Sequence, residues 1–327
     1  MSTVEISLCK SIRKEDLLNL LERQKIFPYD YIRGITKEQF ISYMYKEIKN
    51  CSGKNVNFFV AYNKNQVQGL LILQLLPWDS TIFGFPCARI KYILANESDT
   101  DYEIKLALIS KMVAWAKEHA IQFIDVHISP IDLHGIKALT KNHFNLIATH
   151  IHHVWDFRNN FVLERTHHIP IRIATLDDLP KLEQLTEKFI PPLNRFFLDE
   201  KIRNTNKVPV MFHEWLKNSL LGRAKCFLVA EIDNQIVGYT TVTVDEEIKH
   251  TLGVVIGDVE LTGVISDSQN RGVCLDMITF AVHWAQANKL DIMEGVIHIS
   301  NSPANVVPPK LNARMLGAHH TFHWHAD

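Results

Sequence analysis

The chain has 327 residues, 46% of them hydrophobic and 22% charged, with a formal net charge of −1. That length is comfortable for two domains with separate cores, and so even a charge balance argues against a bulk field drawing nucleic acid or an anionic membrane; an anionic ligand must be held by a local site. Five scattered cysteines without a CxxC pair argue against a disulfide or structural zinc framework, and with no signal-like N-terminus and no apolar run that could span a bilayer, a cytoplasmic protein is expected.

The first half predicts a strand over residues 4–9 and helices over Lys14–Arg23 and Lys37–Ile48. A hairpin of Phe58–Tyr62 with Val67–Leu76 follows, across Asn63-Lys64-Asn65-Gln66. Leu76–Ile90 is punctuated by Pro77, Asp79 and Gly84 and runs into a strand over Lys91–Ala95. Tyr102–His119 puts Ile104, Leu108, Met112 and Trp115 on one helical face. A buried strand Phe123–Ile128, a helix Asp132–Asn142 and a long strand Leu146–Phe157 complete this half. In that last strand, alternation puts His150 and His152 on one face and His153 on the other, two metal ligands at best, so a polar strand face is expected and no metal. The loop Asn96-Glu97-Ser98-Asp99-Thr100-Asp101 has no glycine and three carboxylates, which would repel a phosphate. A linker is expected around Asn159–Ile169.

The second half predicts a strand Ile171–Ala174, then an N-cap region Thr175–Asp178 for a helix through Phe189. A segment Pro191–Arg203 leads to a helix Met211–Leu220 and a hairpin of Phe227–Ile232 with Gln235–Val244. Val259–Val264 reads as a strand, Ile265–Ser268 as a polar link, and Gln269-Asn270-Arg271-Gly272-Val273-Cys274 as a turn into a helix carrying Leu275, Ile278, Ala281, Val282 and Ala285 on one face. A strand, a glycine-bearing turn and a helix N-terminus leave several backbone N–H groups unpaired and pointing one way, an anion site suited to a pyrophosphate. An ordinary βα turn is the plainer alternative. A strand Gly295–Ser300, the run Asn301-Ser302-Pro303-Ala304, the helix-breaking Pro308-Pro309 and a final strand His319–Asp327 close the chain.

Val264-x4-Gln269-x-x-Gly272-x-Cys274 is similar to the acetyl-CoA signature of the GNAT N-acetyltransferases. Asn301-x-x-Ala304 resembles the opening of the same family's last helix, Leu316-Gly317-Ala318 resembles that helix's exit, and the hairpin at Asp233-Asn234 resembles the family's central hairpin. Leu76-Pro77-Trp78-Asp79-Ser80 with Phe83-Gly84 and Arg89-Ile90, and Thr321-Phe322-His323-Trp324, resemble dTDP-fucosamine-type amino-sugar acetyltransferases. The resemblance implies an α/β (α+β) chain of two tandem GNAT-like folds, each a mixed, mostly antiparallel sheet flanked by helices. Residues 1–165 would be a degenerate copy that binds no CoA and helps wall the substrate cleft; 166–327 would be the acetyl-CoA-binding domain. It also implies transfer from acetyl-CoA to a primary amine, a nucleotide-linked amino sugar first, with no metal and neither nucleic acid nor membrane as partner. A homodimer is compatible with the sequence, which does not fix the oligomeric state.

Residue by residue, the resemblance gives Val264 a backbone role at the thioester. Gln269, Asn270, Arg271, Gly272, Val273 and Cys274 would hold the pyrophosphate, and Asn301 the pantetheine arm. Glu260, four residues before Val264 and so expected on the same strand face, is the candidate proton acceptor, with Asp258 the lesser one and a salt bridge the plain alternative. The family's tyrosine acid is absent, since no tyrosine follows Tyr239. That absence keeps two other readings open: a CoA-binding regulatory module without transfer, and an acyltransferase on a peptide or small amine.

Overall fold

The structure, a computed structural model, describes residues 4–51, 53, 55–96, 100–189 and 193–326. Its twelve described strands are β1 Glu5–Cys9, β2 Val56–Asn63, β3 Gln66–Leu75, β4 Cys87–Ala95, β5 Phe123–Ile128, β6 Asn145–Asp156, β7 Ile171–Ile173, β8 Cys226–Ile232, β9 Gln235–Val244, β10 Ile256–Val264, β11 Ile292–His298 and β12 Arg314–His325. They fall into two compact units, residues 1–149 with 318–327, and residues 150–317.

In the first unit the strand order is β1-β2-β3-β4-β5 followed by the end of β12. Neighbours are antiparallel except β4 and β5. The helix Asp101–Glu118 lies on this sheet through Ile104, Leu108, Ile109, Met112 and Ala116. It comes close because β3 offers Gly69: a Cβ there would stand 2.6 Å from Ile104. Phe322 and Trp324 of β12 belong to the same core. Local signals fix the helix ends. Thr36 and Gln39 form a reciprocal capping box for Lys37–Asn50, and the Asp132 carboxylate accepts from the Gly135 amide at the start of Leu133–Lys141.

The second unit repeats the pattern with β7-β8-β9-β10-β11 followed by β6, again antiparallel except for one parallel pair, β10 and β11. One face is covered by the helix Val273–Ala287, through Ile278, Ala281, Val282 and Ala285. Trp155 of β6 lies in that core and donates its indole N–H to the Leu311 carbonyl at 2.9 Å. At the sheet edge, Arg172 of β7 makes two 2.7 Å bonds to Asp178 and one of 2.8 Å to Glu231.

Those bonds from Arg172 draw the Asp178 carboxyl down to about 2 from 3.8. A depressed carboxylate stabilises above its unfolded value and loses that contribution as pH falls through the folded one. Arg172→Ala should therefore cost about 1 kcal/mol at neutral pH, solvent screening of the half-exposed guanidinium keeping it small. Denaturant titrations of both proteins should show that difference vanish as pH falls from 3.8 to about 2.

The expected boundary at 165/166 is corrected. Residues 150–156 of β6 pair with β11, and residues 320–325 of β12 pair with β5, so each unit takes its last strand from sequence assigned to the other half. Two local expectations also change. Leu76–Ile90 contains a helix, Pro77–Phe83, begun by proline in its first turn and stopped by Gly84 at φ 82°. Leu316-Gly317-Ala318, expected at a helix exit, lies inside β12. Pro308-Pro309 does delay a helix, since two four-residue turns, Ser302–Asn305 and Val307–Lys310, replace a longer one. Of the acidic loop, Glu97, Ser98 and Asp99 lie outside the described residues, as do Pro191 and Pro192 of the predicted segment 191–203.

Candidate functional site

The second unit's parallel pair separates part-way along. β10 and β11 are in register from Ile256↔Ile292 to Val259↔Gly295 and no further. Beyond that point β10 stays with β9, through Val264↔Gly238, while β11 stays with β6, through His298↔His150. A wedge opens between two strands whose facing backbone groups lack the ladder that a continuous sheet would supply.

The turn into the helix follows the parted end of β10. Ser266–Ser268 forms a single 3-10 turn, Gln269 is extended, and Asn270 and Gly272 are left-handed at φ 60° and 85°. Gln269, Asn270, Arg271 and Gly272 are exposed, and a Cβ built on Gly272 would meet nothing within 4 Å. Gly272 is the N-cap and no side chain caps the helix; the first helical hydrogen bond runs from the Asp276 amide to the Gly272 carbonyl. The amides ahead of Asp276 are therefore left outside the helical ladder. The turn is seated by Val273, which is buried and lies 3.1 Å from where Gly238 of β9 would carry a Cβ. Gln269 Nε2 donates to the Val264 carbonyl at 3.2 Å, tying the turn back to its strand.

Two first-turn side chains are neutralised or turned away. Burial pushes the Cys274 thiol up to about 11, so it stays protonated. Asp276 is buried and would by burial alone be raised, but the amides of His168 and Ile169 and the Arg165 guanidinium hold it below the ordinary carboxylate value. It faces the 165–169 segment rather than the turn. Asn301 is the N-cap of Ser302–Asn305, its Oδ1 accepting from the Ala304 amide at 3.4 Å.

Glu260 does not share a face with Val264. β10 gains one residue against β9 between Val259 and Thr262, which breaks the alternation. Val264 packs with Val273 and Met277 on the helix side, whereas Glu260 meets Arg223, which follows the helix Val208–Asn218. The pair is bidentate, with Arg223 Nη2 2.6 Å from Glu260 Oε1, so both carboxylate oxygens are engaged and a proton-accepting role would need the pair to open.

Asp258 stands opposite Glu294 across the parallel register, one step before the strands part, so the two carboxyls project from the same sheet face as neighbours. Burial first, then Glu294, Glu260 and Asp245, push the Asp258 carboxyl well above its ordinary value. Glu294 is buried, with its Oε2 3.2 Å from His152 Nδ1. Next along the same strand face, His150 meets His298 at a ring separation of 5.6 Å. Burial first, and then Arg195 and the other two histidines, hold His150 down to about 4, so it is neutral. His153 points the other way, its Nε2 2.9 Å from Asn305 Oδ1. Sequence reasoning missed Glu294. Its signal was a lone acid inside the apolar run Ile292–Ile297, where an unpaired charge is costly.

The first unit parts its strands in the same way, β4 and β5 being in register from Cys87↔Phe123 to Ile90↔Val126 only. Its helix start is different. Asp101, the first residue of Asp101–Glu118, is buried beside Lys105 at 3.2 Å and His134 at 2.8 Å, and Lys105 reaches Asp132 at 2.8 Å. A carboxylate and its partners fill the turn that the second unit leaves open.

Among solved structures, the chain is similar over 99% of its length, and 99% of the other's, to a tandem GNAT protein from the clavulanic acid biosynthesis pathway, with TM-score 0.57 and 14% identity. The fold is a tandem GNAT fold. A GCN5-related N-acetyltransferase from Sphaerobacter thermophilus matches with TM-score 0.58 and 10% identity, over 86% of this chain and 84% of that one. A GCN5-related glucosamine N-acetyltransferase region in a fungal multi-domain β-N-acetylglucosaminidase gives TM-score 0.65 and 10% identity, over 99% of this chain and 38% of that one. No protein-family model and no curated protein matches the sequence. Placed on the tandem GNAT fold, the wedge and the open turn fall in the second unit. Among the described helices, none is long and apolar enough to cross a membrane.

Proposed function

We propose that the second unit transfers an acetyl group from acetyl-CoA to a primary amine, and that the amine belongs to an amino sugar carried on a nucleotide. The observation that carries the reading is the wedge between β10 and β11 ending at an uncapped helix whose glycine-bearing turn is open to solvent. The turn Gln269–Cys274 would hold a diphosphate on backbone N–H groups with the helix dipole behind them, and Arg271, exposed on the turn, adds a positive charge. The edge of β10 up to Val264 would run beside the pantetheine arm. Acetyl-CoA supplies the acyl group; the chain supplies position, an N–H donor for the carbonyl and groups that move protons. The sugar acceptor is supported by the runs Leu76–Ile90 and Thr321–Trp324, and by the glucosamine N-acetyltransferase region among the similar structures. The first unit, with Asp101 and Lys105 filling its helix start, is read as binding no CoA.

A second reading has one observation in its favour. Lacking a tyrosine after Tyr239, the chain could bind CoA without transferring from it. Calorimetry with acetyl-CoA followed by CoASH release across amino-sugar nucleotides, polyamines and peptides separates the two. Binding with one equivalent per chain, and release with an amino-sugar nucleotide, is the expected result. Binding without release from any amine would favour the regulatory module, release with peptides or polyamines alone would overturn the sugar acceptor, and no binding would end both readings.

A further inference from the structure

Asp258 and Glu294 are brought together by strand register rather than by a mobile loop, at the point where β10 and β11 separate. Burial first, and then the neighbouring Glu294, push the Asp258 carboxyl well above its ordinary value, so of the two side-by-side carboxyls Asp258 is the one that favours keeping its proton. The first unit shows what the fold does at the same station when packing alone is at issue. The third pair of its parallel register is Arg89↔Asp125, an ion pair at 2.5 Å. In the second unit the third pair is Asp258↔Glu294. A like-charged pair there costs stability that an arginine would restore, and it sits on the strand face that also carries His152, His150 and His298.

The geometry points to the Asp258–Glu294 pair as the group that exchanges protons with the reacting atoms, in place of the tyrosine the chain lacks. This inference rests on the acetyltransferase reading. An ammonium acceptor first loses one proton to solvent. As the nitrogen bonds to the acyl carbon and the carbon–sulfur bond breaks, Glu294 takes the second nitrogen proton and Asp258 gives its own to the departing sulfur. The pair ends with one proton, as it began, and the proton returns to Asp258 within the pair. His152, 3.2 Å from Glu294, is a positioning residue. The other charged groups facing the pair are Glu260 and Asp245, both beside Asp258, with Arg223 held on Glu260.

Infrared spectroscopy of the ligand-free protein at neutral pH should show the carbonyl stretch of a neutral carboxylic acid, lost in Asp258→Asn and kept in Glu260→Gln. In turnover, Asp258→Asn should lower kcat about a hundredfold and leave acetyl-CoA affinity by calorimetry unchanged. The wild-type rate should fall on the alkaline side as Asp258, whose carboxyl is held above its ordinary value, gives up its proton, and that limb should disappear in the variant. Should Asp258→Asn fail to fold, Glu294→Gln carries the same kinetic test. A missing carbonyl band, a band indifferent to Asp258→Asn, or wild-type turnover in either variant would overturn the inference. A wild-type protein that binds acetyl-CoA yet acetylates no amine would overturn the acetyltransferase reading and the catalytic role with it, while the infrared result still decides whether Asp258 keeps its proton.

Discussion

Residues 166–327 produced alone are expected not to form the second unit. That fragment lacks residues 150–156, which pair with β11 from Ile292 to His298, and with them Trp155, buried in the core and bonded to Leu311. It also carries Ala318–His325, whose partner strand β5 is left behind. Leaving one edge of β11 without its ladder and removing a buried tryptophan costs more than a domain's usual margin of roughly 5–15 kcal/mol can absorb. Circular dichroism should show no cooperative melt for 166–327, whereas a fragment of residues 145–317, which keeps every strand of that sheet, should melt cooperatively. In the full chain, Trp155→Ala alone should cost about 3–5 kcal/mol. A cooperative melt of 166–327 would sink the exchange of strands between units.

Gly272→Val should abolish most acetyl-CoA binding while the protein stays folded. At φ 85° a β-branched residue is strained by about 1–3 kcal/mol, and relieving that strain would rotate the amides that the turn presents. Its side chain would also stand in the space now open over Gly272, where a diphosphate approaches the helix end. Loss of two charge-assisted backbone hydrogen bonds at about 1.5–3 kcal/mol each weakens binding by two to three orders of magnitude or more. Gly84→Val in the first unit is the matched control, since Gly84 has φ 82° and equally open surroundings. It should lower the melting temperature similarly and leave acetyl-CoA affinity as it was. Equal affinity in the Gly272 variant would remove the turn from the binding site.

Much of the second unit was legible in the residues themselves. The turn Gln269–Cys274, the apolar stripe of Leu275 to Ala285 and the hairpin at Asp233-Asn234 are local features, and each lies where its sequence placed it, within two or three residues. So were the alternating directions of His152 and His153. What escaped was set by distant partners. The extra residue between Val259 and Thr262 is visible only against β9, and it moved Glu260 to the other face. The pairing of Asp258 with Glu294 depends on a register fixed across the intervening helix, and nothing in either strand alone announces it. The unit boundary failed for the same reason, because a strand's own sequence says that it will pair but not with whom.

The exchange of final strands also sets an order of completion during synthesis. Everything the second unit's sheet requires has been made once Gly317 is in place, whereas the first unit must wait for β12, whose Thr321 sits opposite His127, roughly two hundred residues upstream. As the chain leaves the ribosome, β5 has an unfilled edge that is exposed to foreign strands for as long as the rest of the protein takes to emerge. Maturation therefore runs back to front, with the later-encoded lobe closing first and the earlier one sealed once β12 arrives.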